Sequence, residues 1–379
     1  MSKEKARRKY GEGSVFSRKD GRWVAEITLE DRTRKQFYFK TEKEAIKKAR
    51  QAINEKEQGT LATGRQRKLK SYLEEWLEEV HKPSIRSTTY IVHSMVMHKH
   101  IVPVIGHLYV QKLTPQHVQS LYTQKMGDEH LSPGSVRNIH LILHKAMANA
   151  VRWNLVSRNV CDLVSPPRQV KHEMRTLDRE QAQHLLNVAK GDRLEALLTL
   201  AITTGMRLGE LAGLRWADVD LERGNLQIRN IVSFRGKRYI EGEPKTAKGR
   251  RSIVLPSFVI DVLIEHKKEQ EVLRQEMGTA WENRDLVFSN VLGGFLAESS
   301  LRYHFHKLLK SAGLPRMRFH DLRHSAATIL LGMGVHPKVV QELLGHSSIA
   351  MTMDTYSHVL PSMQKEAMGK MNDVFKKPS

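Results

Sequence analysis

The sequence predicts an α+β protein of three domains: a small three-stranded β-sheet with one helix, an all-α domain, and a mainly α domain with a β-sheet insert. Three observations lead to this fold class. The chain has 379 residues, more than one typical domain holds. Apolar residues alternate with polar ones near the N-terminus and then recur at three- and four-residue steps from Leu69 onward. Residues 225–256 interrupt this helical pattern with a β-rich stretch.

The first domain is predicted over residues 1–58. The dipeptide Asp20-Gly21 is a hairpin signal, the stretch WVAEIT after it alternates with period two, and QFYF continues the pattern in a third strand. Thr41 begins a capping box, TEKE, so a helix is expected from there to about Glu57. Basic residues occupy the turns and exposed positions of this sheet: Arg18, Lys19, Arg22, Arg34 and Lys35.

The second domain is predicted over residues 66–157, after a Gly/Thr/basic linker at residues 58–68. Four helices are expected: Leu69 to Val80, Ser87 to about Ile101, one beginning at Thr114-Pro115 and one beginning at Ser132-Pro133. A cap residue followed by proline is typical of a helix start. Helices alone indicate no chemistry.

The third domain is predicted over residues 174–379. Its boundary is the proline-containing basic stretch LVSPPRQVKHEMRTL, after which Asp178 caps a new helix. The domain is expected to be mainly helical and to carry the β-rich insert of residues 225–256.

The charge balance indicates a polyanionic partner. The chain has 62 Lys and Arg against 41 Asp and Glu, a net charge of +21. Nucleic acid is the expected partner, bound by phosphate neutralisation, and the functional interpretation of the first domain is a sheet placed in a major groove. A solvated charged surface is the alternative for that sheet. An anionic membrane is the rival partner, but we find no run of about 18 apolar residues that could span a bilayer.

The sequence predicts neither a metal ion nor another cofactor. The 19 histidines form clusters, but these clusters lack carboxylates or cysteines at known ligand spacings. A nucleotide-binding P-loop pattern is absent from the sequence. The single cysteine excludes a disulfide within the chain, and no signal peptide is visible, so a cytoplasmic location is expected.

Four short stretches of the third domain hold side chains suited to phosphoryl transfer. They are TTGMRLGEL with Arg207, the insert with Lys245 and Lys248, FHDLRHSAA with His320 and Arg323, and LLGHSSIAMTMDTYSHV with His346 and Tyr356. Arginines bind non-bridging phosphate oxygens, and a tyrosine can form a covalent intermediate. A lysine or histidine can protonate the leaving oxygen. Together these residue types indicate metal-free transfer through a phosphotyrosyl link.

In their order and spacing, the four stretches resemble those of the tyrosine recombinases, specifically the integrases of phages and integrative elements. The resemblance covers essentially the whole chain and is densest from Thr176 to Leu360. Glu210 is similar to the family's supporting acidic residue. The positions that match the family's catalytic residues are Arg207, His320, Arg323, His346 and Tyr356. The catalytic lysine is expected in the insert, where the tripeptide PKT favours Lys245 and Lys248 is the alternative.

The resemblance also implies the organisation of the reaction. The three domains correspond to an arm-type DNA-binding domain, a core-binding domain and a catalytic domain, acting as a homo-tetramer on core and arm DNA sites. The helical tail after Tyr356 is expected to contact a neighbouring subunit. An excisionase or a DNA-bending host protein is a further candidate partner, and the bacterial nucleoid is the expected location. The rival classes are an architectural DNA-binding protein, a type IB topoisomerase-like enzyme and a metal-dependent transposase.

Overall fold

The computed structural model describes residues 13–28, 34–57, 66–168, 175–235, 238–244 and 249–346, together with residues 348, 349, 368, 369, 371 and 375. The chain divides into two compact units, Met1–Lys171 and His172–Ser379. Within these described segments, we find no helix with the length and apolar character needed to cross a bilayer.

The N-terminal part of the first unit is a three-stranded antiparallel sheet with one helix, as the sequence predicts. The order is β1-β2-β3, and the elements are β1 (Ser14–Ser17), β2 (Trp23–Thr28), β3 (Arg34–Phe39) and α1 (Glu42–Glu57). Ala25 of β2 packs against Ala45 and Ala49 of α1, because the period-two pattern places apolar side chains on one face. The backbone N–H of Glu44 donates to the Thr41 hydroxyl at 3.4 Å, so Thr41 caps α1.

The remainder of the first unit is all-α. Its helices are α2 (Leu69–Glu75), which continues as a π-helical stretch (Trp76–His81) and α3 (Lys82–Ser84); α4 (Ser87–Val96), which continues as a π-helical stretch (Met97–Ile101) and α5 (Val102–Ile105); α6 (Pro115–Gly127); and α7 (Pro133–Arg152). The first two predicted helices thus run four residues beyond their expected ends. The Thr114 and Ser132 side chains accept hydrogen bonds from the His117 and Ser135 backbone N–H groups, so both predicted caps form.

The second unit is mainly helical. Its helices are α8 (Arg179–Val188), α9 (Glu195–Thr204), α10 (Leu208–Ala212), α11 (Ser257–Met277), α12 (Glu298–Ser311), α13 (Asp321–Gly332) and α14 (Pro337–Leu344). Its strands are β4 (Val219–Asp220), β5 (Asn225–Gln227), β6 (Ile231–Arg235), β7 (Arg238–Gly242) and β8 (Ser252–Val254). The apolar helix α9 lies in the centre of the core, where nearly all of its residues are buried.

The predicted β-rich insert divides between two sheets. Strands β5 and β8 join β4 in a three-stranded antiparallel sheet, whereas β6 and β7 form a separate hairpin. Helix α10 lies against β6 at Gly209, where an added Cβ would come within 2.6 Å of the Val232 carbonyl oxygen. This close approach requires glycine and places the hairpin beside the helix that follows Arg207.

Candidate active site

Arg207 lies in the break between α9 and α10. Gly205 ends α9 in the left-handed conformation, with φ of 64°, and α10 starts at Leu208. The Arg207 backbone N–H donates to Glu210 Oε2 at 2.9 Å, and its Nη1 donates to Glu210 Oε1 at 2.7 Å. The Arg207 side chain remains 38% exposed, so it is anchored at one side and accessible at the other.

Glu210 is a buried carboxylate held between two guanidinium groups. Its side chain is fully buried, and it accepts hydrogen bonds from Arg207 and from Arg251. Burial alone would raise the pKa of the Glu210 carboxyl, but the charges and hydrogen bonds of Arg251 and Arg207 hold that pKa below its usual range. Glu210 is therefore a fixed negative charge that orients Arg207.

Arg251 was not predicted from the sequence. It precedes β8, and its side chain is only 8% exposed. Nη2 donates to Glu210 Oε2 at 3.0 Å and Nη1 to Glu210 Oε1 at 3.3 Å, while Nε donates to the Leu343 carbonyl at 2.6 Å. The KGRRS stretch gives no local signal for this role, because the partners lie 41 and 92 residues away in sequence.

Arg323 lies in the first turn of α13 and is 3% exposed. Its Nη1 donates to the Gly205 carbonyl at 2.7 Å and its Nη2 to the Leu344 carbonyl at 2.6 Å. The break after α9 and the end of α14 are thereby joined through one guanidinium. His320, three residues earlier, is the N-cap residue of the same helix and is exposed as a residue.

Three successive carbonyl groups at the C-terminal end of α14 each accept a hydrogen bond from a different arginine. Arg251 donates to Leu343, Arg323 to Leu344, and Arg207 to Gly345 at 3.4 Å. The last carbonyls of a helix lack partners within the helix and lie at the negative end of its dipole, so cations are stabilised there. His346 follows directly, and it is the next predicted site residue.

His346 and its neighbouring imidazoles are held neutral. His346 is 7% exposed, and burial, followed by the charges of Arg323 and Arg207, lowers its pKa to about 4. Desolvation and His320 lower the pKa of His324 to about 4, and the pKa of His320 is lowered by desolvation and by Arg323. A neutral imidazole beside fixed guanidinium groups can exchange a proton or donate a hydrogen bond to an anion.

The structure therefore brings together Arg207, Glu210, Arg323 and His346, with His320 at the start of α13. The predicted lysines, Lys245 and Lys248, the predicted nucleophile Tyr356 and most of the tail lie outside the described residues. The catalytic roles of the residues named in this paragraph, whether described or not, stay predictions. The assembled part carries an excess of positive charge and neutral imidazoles, an arrangement suited to a phosphoryl group that gains negative charge during reaction.

The five basic residues predicted in the N-terminal sheet occupy different places. Arg18 and Arg22 lie above the exposed Tyr38 ring, 5.7 and 5.4 Å from its centre, and Arg22 also pairs with Asp20. Arg34 pairs with Glu26 at 3.2 Å. Lys19 is exposed in the β1–β2 turn, whereas Lys35 shares the helix-packed face with Phe37, whose ring centre is 5.6 Å from its ammonium group.

Comparison with known proteins identifies relatives for most of the chain. Residues 175–363 match the phage integrase family, and residues 68–126 match the N-terminal SAM-like domain of phage integrases. A tyrosine recombinase XerC-like protein of Caldanaerobacter subterraneus subsp. tengcongensis is 31% identical over 90% of this chain and 92% of its own length. An integrase of Streptomyces ambofaciens is 29% identical over 98% of each chain.

Solved structures share the fold. The Tn1549 transposon integrase in complex with transposon right-end DNA gives a TM-score of 0.68 at 20% identity, over 80% of this chain and 99% of that one. The lambda integrase dimer bound to a COC′ core site gives 0.59 at 19% identity, over 90% and 94%. These two structures show the fold alone, whereas the 31% identity to the XerC-like protein over nine tenths of this chain shows that the chain belongs to the phage integrase family, the tyrosine recombinases.

Proposed function

We propose that this protein is a site-specific DNA recombinase that integrates and excises a phage or other mobile element. The observation that carries the proposal is a cluster in which Arg323 and Arg207 donate to the successive carbonyls of Leu344 and Gly345 at the end of α14, beside a neutral His346. Such a cluster supplies fixed positive charge for one phosphodiester group and needs no metal ion to do so.

The proposed chemistry is a pair of transesterifications. The Tyr356 phenol oxygen attacks the scissile phosphorus, so a 3′-phosphotyrosyl bond forms while the bond from phosphorus to the 5′ oxygen breaks. The phenol proton leaves to a base, for which a neutral imidazole is the candidate, and Lys245, with Lys248 as the alternative, protonates the departing 5′ oxygen. The 5′-hydroxyl of a partner strand then attacks the link and restores Tyr356. Because one ester replaces another at each step, ATP is not required.

Three domains are proposed to bind double-stranded DNA and to recombine it. Residues 1–58 would bind arm sites, residues 66–157 would bind the core site, and residues 174–379 would perform the chemistry. Support for the arm domain comes from Arg18, Arg22 and Arg34, whose exposed guanidinium groups lie at one face and turn of a sheet. Such a sheet suits a major groove, with cations directed toward the phosphates.

The active assembly is proposed to be a homo-tetramer at the nucleoid. Recombination of two duplexes exchanges four strands, and each strand needs one tyrosine, so four protomers supply one nucleophile each. The tail after Tyr356 is the proposed contact between protomers. An excisionase or a DNA-bending host protein is the proposed additional factor. The reaction leaves the number of phosphodiester bonds unchanged, so the chemistry of the active site by itself favours neither integration nor excision.

The proposal is tested by joining two DNA duplexes. Purified protein is mixed, in EDTA and without ATP, with two labelled fragments that carry the DNA flanking its own gene and its recombination partner. We expect recombinant fragments of the combined lengths. Relaxation of supercoiled DNA without joined fragments would favour the topoisomerase-like class, binding without either product an architectural protein, and loss of joining in EDTA a metal-dependent transposase.

A further inference from the structure

We propose that Arg251 is a positioning residue for the active site, which fixes Arg207 through Glu210 and fixes the end of α14 through Leu343. This inference rests on the proposed recombinase function. Arg251 itself is not placed on the phosphate, since all three of its guanidinium nitrogens already donate to Glu210 or to the Leu343 carbonyl. It acts through the groups that it holds.

The geometry around Glu210 supports this role. Nη1 and Nη2 of Arg251 reach the two carboxylate oxygens, at 3.3 and 3.0 Å, and this planar fork is a geometry that lysine cannot reproduce. Arg207 uses the same two oxygens through its backbone N–H and its Nη1. The two arginines therefore share the Glu210 carboxylate. Arg251 fixes the plane of this carboxylate and keeps it charged for its contact with Arg207.

The third contact of Arg251 links Glu210 to the helix that precedes His346. Nε donates to the Leu343 carbonyl at 2.6 Å, directly before the carbonyls that accept Arg323 and Arg207. One buried side chain thus joins the start of β8, helix α10 and the end of α14. Without it, Glu210 would be a buried carboxylate with one partner, and the end of α14 would lose one of its three arginines.

The expected consequence is a defect that depends on the charge of the phosphate. A guanidinium that stabilises a phosphoryl group matters most when the non-bridging oxygens are charged. Replacing one of these oxygens by a methyl group makes the scissile group neutral and reduces the benefit of Arg207. A variant that disorders Arg207 should therefore lose much on a phosphodiester and less on a methylphosphonate, whereas a general loss of folded protein would reduce both rates equally.

The experiment compares full-length wild-type protein with Arg251→Gln and Arg251→Lys. Nicked DNA carries either a phosphate or a methylphosphonate at the scissile position, and the rate of covalent adduct formation is measured at saturating protein. Arg274→Gln is the control, because it removes one positive charge from an exposed ion pair with Glu271 on α11. Circular dichroism and thermal unfolding identify the folded fraction of each variant.

We expect Arg251→Gln to slow adduct formation about 100-fold on the phosphate substrate and by no more than about tenfold on the methylphosphonate substrate. Arg251→Lys should lie between Gln and wild type, and Arg274→Gln should match wild type. If Arg251→Gln does not fold, the same comparison is made with Arg251→Lys. Equal defects on both substrates, or wild-type rates in both variants, would overturn the positioning role. Absence of any adduct with wild-type protein would instead overturn the proposed function on which it rests.

Discussion

At the scale of single residues, the site depends on one glycine as much as on its arginines. Gly205 has φ of 64°, and a Cβ there would overlap the Leu344 side chain and contact Arg323 Cγ at 3.7 Å. Its carbonyl accepts Arg323 Nη1 at 2.7 Å. The TTG stretch therefore ends α9, turns the chain toward Arg207 and supplies an acceptor for Arg323, and a side chain at this position would disturb all three.

Gly205→Ala should destabilise the protein by about 3 kcal/mol, from left-handed strain and from overlap with Leu344. Adduct formation should fall as well, because the Arg323 acceptor moves. The control is Gly191→Ala, at φ of 72° with nothing within 4 Å of the added Cβ, where only the strain of about 1 kcal/mol applies. Urea unfolding measures the stability of both variants, and equal losses of stability would contradict the explanation by overlap with Leu344.

The sequence was informative about residues whose partners are close in the chain. Arg207 and Glu210 are three residues apart in the chain, and the structure pairs them at 2.7 Å. His320 and Arg323 are likewise three residues apart and lie at the start of one helix. Arg251 could not be found in this way, because its contacts with Glu210 and Leu343 exist only after the domain has folded. Nor could the order of three arginines along the α14 carbonyls be predicted.

At the scale of secondary-structure elements, two long helices of the first unit are joined by a buried histidine pair. His81 Nε2 and His93 Nδ1 are 2.8 Å apart, and the His81 ring also stacks on Trp76 at 4.5 Å. Burial, then His93 and Lys145, lowers the pKa of His81 to about 4, and burial lowers that of His93. The pair is therefore neutral in the folded protein at neutral pH.

Stability should fall as pH decreases from about 6.5 toward about 4. Over this interval the unfolded histidines bind protons while folded His81 remains neutral, so protonation favours the unfolded state; above about 6.5 both states are neutral and the effect vanishes. The double variant His81→Gln/His93→Gln should show a shallower pH dependence of the urea midpoint. Some slope should remain, because burial also lowers the pKa of His266 and lowers those of His324 and His346 to about 4. An unchanged slope would contradict this assignment.

The cap of α6 gives a second test at this scale. Thr114 accepts a hydrogen bond from the His117 backbone N–H at 3.3 Å, and Pro115 follows it. Thr114→Ala should cost about 1 kcal/mol, because one N–H of the first turn loses its acceptor. Thr123→Ala, at an exposed position in the same helix, should change stability by less than about 0.5 kcal/mol. Thermal unfolding measures the stability of both variants, and equal losses of stability would contradict the capping role of Thr114.

Caps and periodicity made the helices of the first unit predictable, but the π-helical stretches were not. The sequence placed the first two helix ends near Val80 and Ile101, whereas the helices continue through Trp76–His81 and Met97–Ile101 to Ser84 and Ile105. A π-helical turn changes which side chains face the core, and His81, the last residue of the first π-helical stretch, is buried. Periodicity read with a fixed step cannot anticipate such a shift.

At the scale of the whole molecule, charge is the dominant property. The net charge of +21 was available from composition and indicated a polyanionic partner. Membership of the tyrosine recombinases agrees with that indication. The three-domain boundaries and the tetramer stay predictions, since a sequence pattern identifies elements within a domain more readily than the contacts between copies.

DNA binding by the full-length protein should weaken steeply with salt. If about six phosphates are neutralised, affinity should fall about 10³-fold between about 50 and about 200 mM salt, because bound counterions are released on association. Fluorescence anisotropy on a duplex carrying the proposed core site measures the slope. Replacing Arg18, Arg22 and Arg34 by Gln should lower the slope on an arm-site duplex and leave it unchanged on the core duplex; an unchanged arm-site slope would contradict the proposed arm contacts.

The most direct test of the central claim is whether Tyr356 becomes covalently attached to DNA. Wild-type protein and Tyr356→Phe are incubated, in EDTA, with a nicked duplex whose cleavage releases a short fragment and so prevents religation. A denaturing gel then separates free DNA from the protein–DNA adduct, and peptide mapping locates the linked residue. We predict an adduct at Tyr356 with wild-type protein and none with Tyr356→Phe. An adduct that persists in Tyr356→Phe, or its absence from a wild-type protein that binds the same duplex, would contradict a phosphotyrosyl mechanism at this residue.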